Sequence, residues 1–190
     1  MSSSDSPAIA QSSRSQRLTL IAILAAFALF LSTVEYMIPK PVPFLRVGLA
    51  NLPILIALSL LSVPELFVLV FLKIVGQGLV NGTLFSYIFL FSAGGSLAST
   101  VAMLLFHRVF RRWISYVGIS IAGALASNCV QLLLAQLILF GSGIWLVAPP
   151  FLLMGLVTSI ALGLFVNHFS AASEWFREKQ QLNGGGQHAQ

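Results

Sequence analysis

Charge is the scarcest ingredient of this chain. Only 8% of its 190 residues are Asp, Glu, Lys or Arg, where soluble domains carry roughly 25%. Aspartate occurs once, as Asp5 near the N-terminus, so an aspartate-rich magnesium–diphosphate site cannot be built. The single cysteine, Cys129, excludes a disulfide framework within one chain and any CxxC centre. The Gly-rich phosphate loop ending in Lys-Ser/Thr is missing, as is HExxH, so neither P-loop ATP hydrolysis nor zincin chemistry is available. His107 and His168 fall at the ends of apolar runs and His188 stands alone in a polar tail. No Ser-His-Asp set is plausible from these positions. We therefore expect no catalytic residue, no cofactor and no metal: this is not an enzyme by any motif it carries.

Hydrophobic residues make up 57% of the chain, and the mean hydropathy is +0.94. A spanning helix needs about 20 mostly apolar residues. Six apolar runs come close to that length: Leu18 to Met37, Gly48 to Ser62, Pro64 to Val80, Leu84 to Phe106, Ile114 to Phe140 and Trp145 to Phe169. The expected fold is an all-α integral membrane protein with six transmembrane helices. Residues 1–17 and 170–190 flank the 18–169 membrane domain as polar tails without apolar period, expected to be largely disordered. The first run is not a signal peptide, because no small-x-small cleavage site follows it. "SVPE", Ser62 to Glu65, is a capping-box pattern with proline at the helix start, which predicts a tight hairpin between the second and third helices.

Net charge is +5, but the basic residues flank apolar runs instead of forming one stripe with aromatic partners, so nucleic acid is not the expected partner. With six spans both termini share a side with the loop between helices four and five. That side receives Arg14, Arg17, Arg108, Arg111, Arg112, Arg177 and Lys179, the other only Lys40 and Arg46. The positive-inside rule then places both termini in the cytoplasm of a multi-pass cell-membrane protein.

Ionisable groups at bilayer depth cost at least about 2.5 to 3.5 kcal/mol, so each one calls for a partner or a role. Lys73 lies midway along the third run, and Gln77 and Asn81 follow at i+4 and i+8 on the same helical face. Together they make a polar stripe towards the outer surface. Two readings stay open for Lys73: contact with a ligand, or a structural pair with Glu35, the carboxylate near an outer helix end. In the fifth run Asn128 and Gln131 share a face at i, i+3, and Gln136 follows. Interhelical hydrogen bonds, worth about 0.6 kcal/mol each on average, are the plain alternative there. Small residues recur every four positions at Ala22 and Ala26, at Gly118, Ala122 and Ala126, and at Gly155, Ser159 and Gly163. Such faces let helices approach closely, and one of them can instead dock a partner.

"PKPVPFLRVGLANLPILIAL" from Pro39, "LKIVGQGLVNGTLFSYIFLFSAGGSLAS" from Leu72 and "SNCVQLLLAQLIL" from Ser127 resemble, in order, the successive motifs of the Gx transporter family, also labelled heptaprenyl diphosphate synthase component I. That family is grouped with the substrate-binding S components of energy-coupling factor (ECF) transporters. The resemblance implies a six-helix bundle that captures a small vitamin-, cofactor- or isoprenoid-related molecule from the outer side. It implies a coupling membrane subunit and ATPase subunits as partners, with Ala22 and Ala26 of helix one presented to the coupling subunit. Arg46, Gly48, Asn51, Lys73, Gly82, Asn128 and Gln131 are the positions that match its motifs. Lys40, Arg46 and Lys73 converge on the outer end, which favours an anionic or polar-headed ligand. The stretch from Pro39 is then a stiff outer loop suited to act as a lid, with Arg46 and Asn51 at the approach to helix two. The rival function is a non-catalytic membrane subunit of an isoprenoid or quinone pathway, or of a membrane redox complex.

Overall fold

The computed structural model describes residues 6–38, 48–110 and 113–174, with side chains from residue 14 onwards except Ser142. The described residues form six α-helices: α1 (Ser6–Met37), α2 (Leu52–Ala57), α3 (Val63–Val80), α4 (Tyr87–Val109), α5 (Tyr116–Ala135) and α6 (Ala148–Ala172). No strand occurs among the described residues. Five of the helices, all but α2, are long and apolar enough to cross a membrane. The expected all-α membrane bundle is what forms.

Two boundaries differ from the sequence reading in an instructive way. Helix α1 begins at Ser6, well ahead of Leu18. Pro7 sits in its first turn, where a missing N–H costs nothing, and no glycine or proline follows to stop an apolar helix from propagating outwards. The second run keeps α geometry over Leu52–Ala57 only, preceded by a tighter 3-10 turn at Leu49–Asn51. Its start is bent by Gly48, whose φ of +99° is a left-handed conformation that side-chain-bearing residues rarely adopt. Backbone bonds continue its helical rise, from Leu58 N–H to Ile54 and from Leu61 N–H to Ala57.

Short as it is, this second segment runs the depth of the bundle. At one end the Gly48 N–H donates to Glu35 Oε1 (2.9 Å), late in α1. At the other, Glu65 at the start of α3 pairs with Arg17, early in α1 (3.3 Å). Between Arg17 and Glu35 α1 climbs about 27 Å at about 1.5 Å per residue, close to the hydrocarbon thickness of about 30 Å. The chain therefore passes from one end to the other between residues 48 and 65. Every residue from Leu52 to Leu58 is buried, Ile54 and Ala57 completely. A helix apolar on all sides is one enclosed by others. Leu52, Ile54, Leu55 and Leu58 pack with Leu66, Leu69 and Val70 of α3 and with Ile119 and Val166 of α5 and α6.

Helices α1 and α3 run parallel, since Arg17 meets Glu65 at one end and Ser32 meets Gln77 nearer the other. Ser59 bonds the Tyr116 hydroxyl (2.7 Å), and Gly163 packs on Val117, so the start of α5 and the last turns of α6 lie at the Arg17 end. Six passages thus bring Arg17, Arg108 and the last turns of α6 to one end.

The α3 start follows the expected cap. The Ser62 N–H and hydroxyl both donate to Glu65 Oε2 (2.8 and 2.7 Å). Arg17 and Glu65 are 49% and 21% exposed, and such pairs contribute at most about 1 kcal/mol. Glu65→Ala, which also removes the cap, is expected to cost about 1–2 kcal/mol, and Arg17→Ala at most about 0.5 kcal/mol. Unfolding in detergent at low and high salt checks this: salt should erase the Arg17 effect and leave most of the Glu65 effect.

Candidate functional site

Towards the Glu35 end, α1, the start of the second segment, α3, α4 and α5 enclose one polar cavity. Glu35 comes from α1 and Lys73 from the middle of α3, and each is only 1% exposed. Both carboxylate oxygens of Glu35 accept backbone donors: Gly48 N–H on Oε1 (2.9 Å) and Ala50 N–H on Oε2 (3.4 Å). The left-handed Gly48 turns these donors towards α1. The N-terminal end of the second segment is therefore met by the protein's own carboxylate.

Asn51 sits one turn further and links three elements. Its Oδ1 accepts from Lys73 Nζ (2.7 Å), and its Nδ2 donates to Ser99 Oγ on α4 (3.1 Å). One turn above Lys73, Gln77 accepts from Ser32 of α1 and donates to Ser92 of α4. Gln131 of α5 donates to Ser127 Oγ (2.9 Å). Ser96 completes the wall, and the space between these groups holds about one water molecule. A polar network of this kind, buried in a membrane helix bundle, is costly unless its members are satisfied, and these largely satisfy one another.

Of the residues singled out from sequence, Glu35, Asn51, Lys73, Gln77 and Gln131 meet at this cavity. Lys40 and Arg46 lie outside the described residues. Asn81 does not line the cavity; the Lys73–Gln77 stripe ends below it, because α3 stops at Val80 and the chain turns away. Asn81 Nδ2 is instead buried beside the turn with no hydrogen-bond partner. Asn128 does not line the cavity either. Ser127 and Gln131, four apart, stand one above the other on the cavity wall, which turns Asn128 towards α6. There its Nδ2 lies 2.2 Å from where a Cβ on Gly155 would sit, and it too has no partner. Ala22 and Ala26 are exposed on α1, in line with the exposed Ile23, Phe27 and Phe30. The serines were missed. Ser92, Ser96 and Ser99 recur at helical spacing inside an apolar run of α4, and that spacing was the available signal.

The family model described as heptaprenyl diphosphate synthase component I matches residues 24–169, from mid-α1 to the last turns of α6. The chain belongs to that family. No curated protein and no solved structure matches it. The heptaprenyl diphosphate synthase component I match takes in every cavity residue and some part of each of the six helices, so the site lies within the shared region. Ala22 lies just outside the matched residues and Ala26 just inside.

Proposed function

We propose that this member of the heptaprenyl diphosphate synthase component I family is a non-catalytic, membrane-embedded substrate-binding subunit of an energy-coupling factor-type importer. The observation that carries the reading is the buried cavity in which Glu35 and Lys73 lie among amides and hydroxyls. Ionisable side chains at this depth are rare and usually mark a substrate path. The site lies nearer the end that lacks most of the positive charge, which under the positive-inside rule is the outer end, with both termini in the cytoplasm of the cell membrane. Energy would come from ATPase subunits through a coupling membrane subunit, since the chain has no phosphate loop. Exposed Ala22 and Ala26 offer the coupling subunit a closely approachable face.

A second reading takes the family description at its word: a non-catalytic membrane subunit of an isoprenoid pathway, presenting a lipid-like substrate to a soluble synthase. Gentle extraction followed by native mass spectrometry separates the two. The importer reading expects ATPase and coupling subunits to co-purify, the alternative a prenyl synthase, and recovery of the synthase alone overturns the first. Within the importer reading, Lys73→Gln is expected to lower retention of the co-purifying ligand at least about tenfold, as loss of a charge-assisted contact implies. Membrane insertion should persist, and undiminished retention removes Lys73 from the site.

A further inference from the structure

We propose that the ligand of this cavity is a small aliphatic zwitterion, carrying an ammonium and an acidic group on a short frame without a ring or a long chain. The proposal rests on the reading that the cavity is the substrate site, and adds to it the chemical class of the substrate.

Charge points first. Among the described residues the walls carry one carboxylate, Glu35, and one ammonium, Lys73, both almost completely buried. Their charges sum to zero. An anion drawn to Lys73 also meets Glu35, and a cation drawn to Glu35 also meets Lys73, in surroundings where unlike and like charges both act strongly. A molecule with both charges answers both walls, and it brings no net charge into the membrane interior, where net charge is costly.

The rest of the lining sets the frame. Hydroxyls of Ser96 and Ser127 and the amides of Gln77 and Gln131 supply both donors and acceptors. Among the described residues no aromatic side chain lines the cavity, and Ala50 is the one apolar side chain that does. Sites for ringed or greasy ligands are lined mainly by apolar and aromatic groups. None of these described residues would stack a heteroaromatic ring or cover a polyprenyl tail. The void has room for about one water, so any ligand must part the walls, and a small one needs the least movement.

The test uses the full chain in detergent with defined probes. Thermal unfolding and native mass spectrometry are followed with glycine, β-alanine and L-serine as zwitterions, propionate as the anion, propylammonium as the cation and farnesyl diphosphate as the prenyl compound. At least one zwitterion is expected to raise the unfolding midpoint saturably and to appear bound, while propionate and propylammonium at the same concentration do neither. Glu35→Gln and Lys73→Gln should each weaken that zwitterion about tenfold or more. They should also shift preference in opposite senses, Glu35→Gln towards propionate and Lys73→Gln towards propylammonium. Propionate or farnesyl diphosphate matching the zwitterions on the unaltered protein overturns the proposal, and so does the failure of all three zwitterions. The comparison on the unaltered protein decides even where a variant does not fold. Co-purifying ATPase subunits without zwitterion binding would refute the ligand class and keep the importer; zwitterion binding with a prenyl synthase as sole partner would do the reverse.

Discussion

Gly163→Ala is expected to loosen α6 from α5 and to lower stability by about 2–3 kcal/mol, the upper part of the range for an overpacked interface. A Cβ at residue 163 would lie 2.4 Å from Val117 Cα and 2.9 Å from Val117 N. Both are backbone atoms, so no rotamer change relieves the clash and one helix must move away from the other. In a membrane, where packing itself drives helix association, that separation removes the contact's main contribution. Gly76→Ala is the built-in control. There the nearest atoms, at 2.8 and 2.9 Å, belong to the Leu29 side chain, which can turn aside. Alanine also favours a helix over glycine by about 1 kcal/mol, so the control should be close to neutral. Unfolding of both variants in mixed micelles measures the difference, and equal stability would show that α5 and α6 tolerate separation.

Glu35→Ala is expected to release the start of the second segment. Its carboxylate is the acceptor for the Gly48 and Ala50 N–H groups, and removing it strands two donors inside the bundle. Each stranded donor costs about 1–3 kcal/mol, so a loss of about 2–6 kcal/mol follows. Glu35→Gln keeps one oxygen acceptor and should fall between the alanine variant and the unaltered protein. Amide hydrogen exchange locates the effect: Gly48 and Ala50 should exchange much faster in Glu35→Ala, with little change near Ser59, which Tyr116 holds independently. Uniformly faster exchange would instead mean that Glu35 supports the whole bundle.

Much of this architecture was legible because bilayer physics writes it in long apolar runs. The five long helices follow from run length alone. The α3 start follows from Ser62-Val63-Pro64-Glu65, a local pattern whose bonds close within one turn. Lys73 and Gln77 stood out because polar groups in such runs are costly, and their spacing of four placed them on one face. Asn128 and Asn81 stood out for the same reason, but cost marks a residue without saying which neighbour it faces. Asn128 shares a helix with Gln131 yet faces Gly155, and that depends on where α6 crosses α5. The serines escaped notice because a hydroxyl in a helix is cheap and ordinary, and becomes part of a site only when a neighbouring helix brings an amide to it.

By itself, then, the sequence determined that the chain is an all-α membrane protein, which apolar runs become its long helices, and which few polar groups the membrane must accommodate. Those properties are local, since hydropathy, capping and helical spacing act within a run. Only the tertiary structure decided that Glu35 would hold the backbone at Gly48, that Asn51 would join Lys73 to Ser99, and that the second segment would be enclosed by the other helices. These contacts join residues far apart in the chain, and their geometry is set by how closely glycine and serine faces let the helices pack.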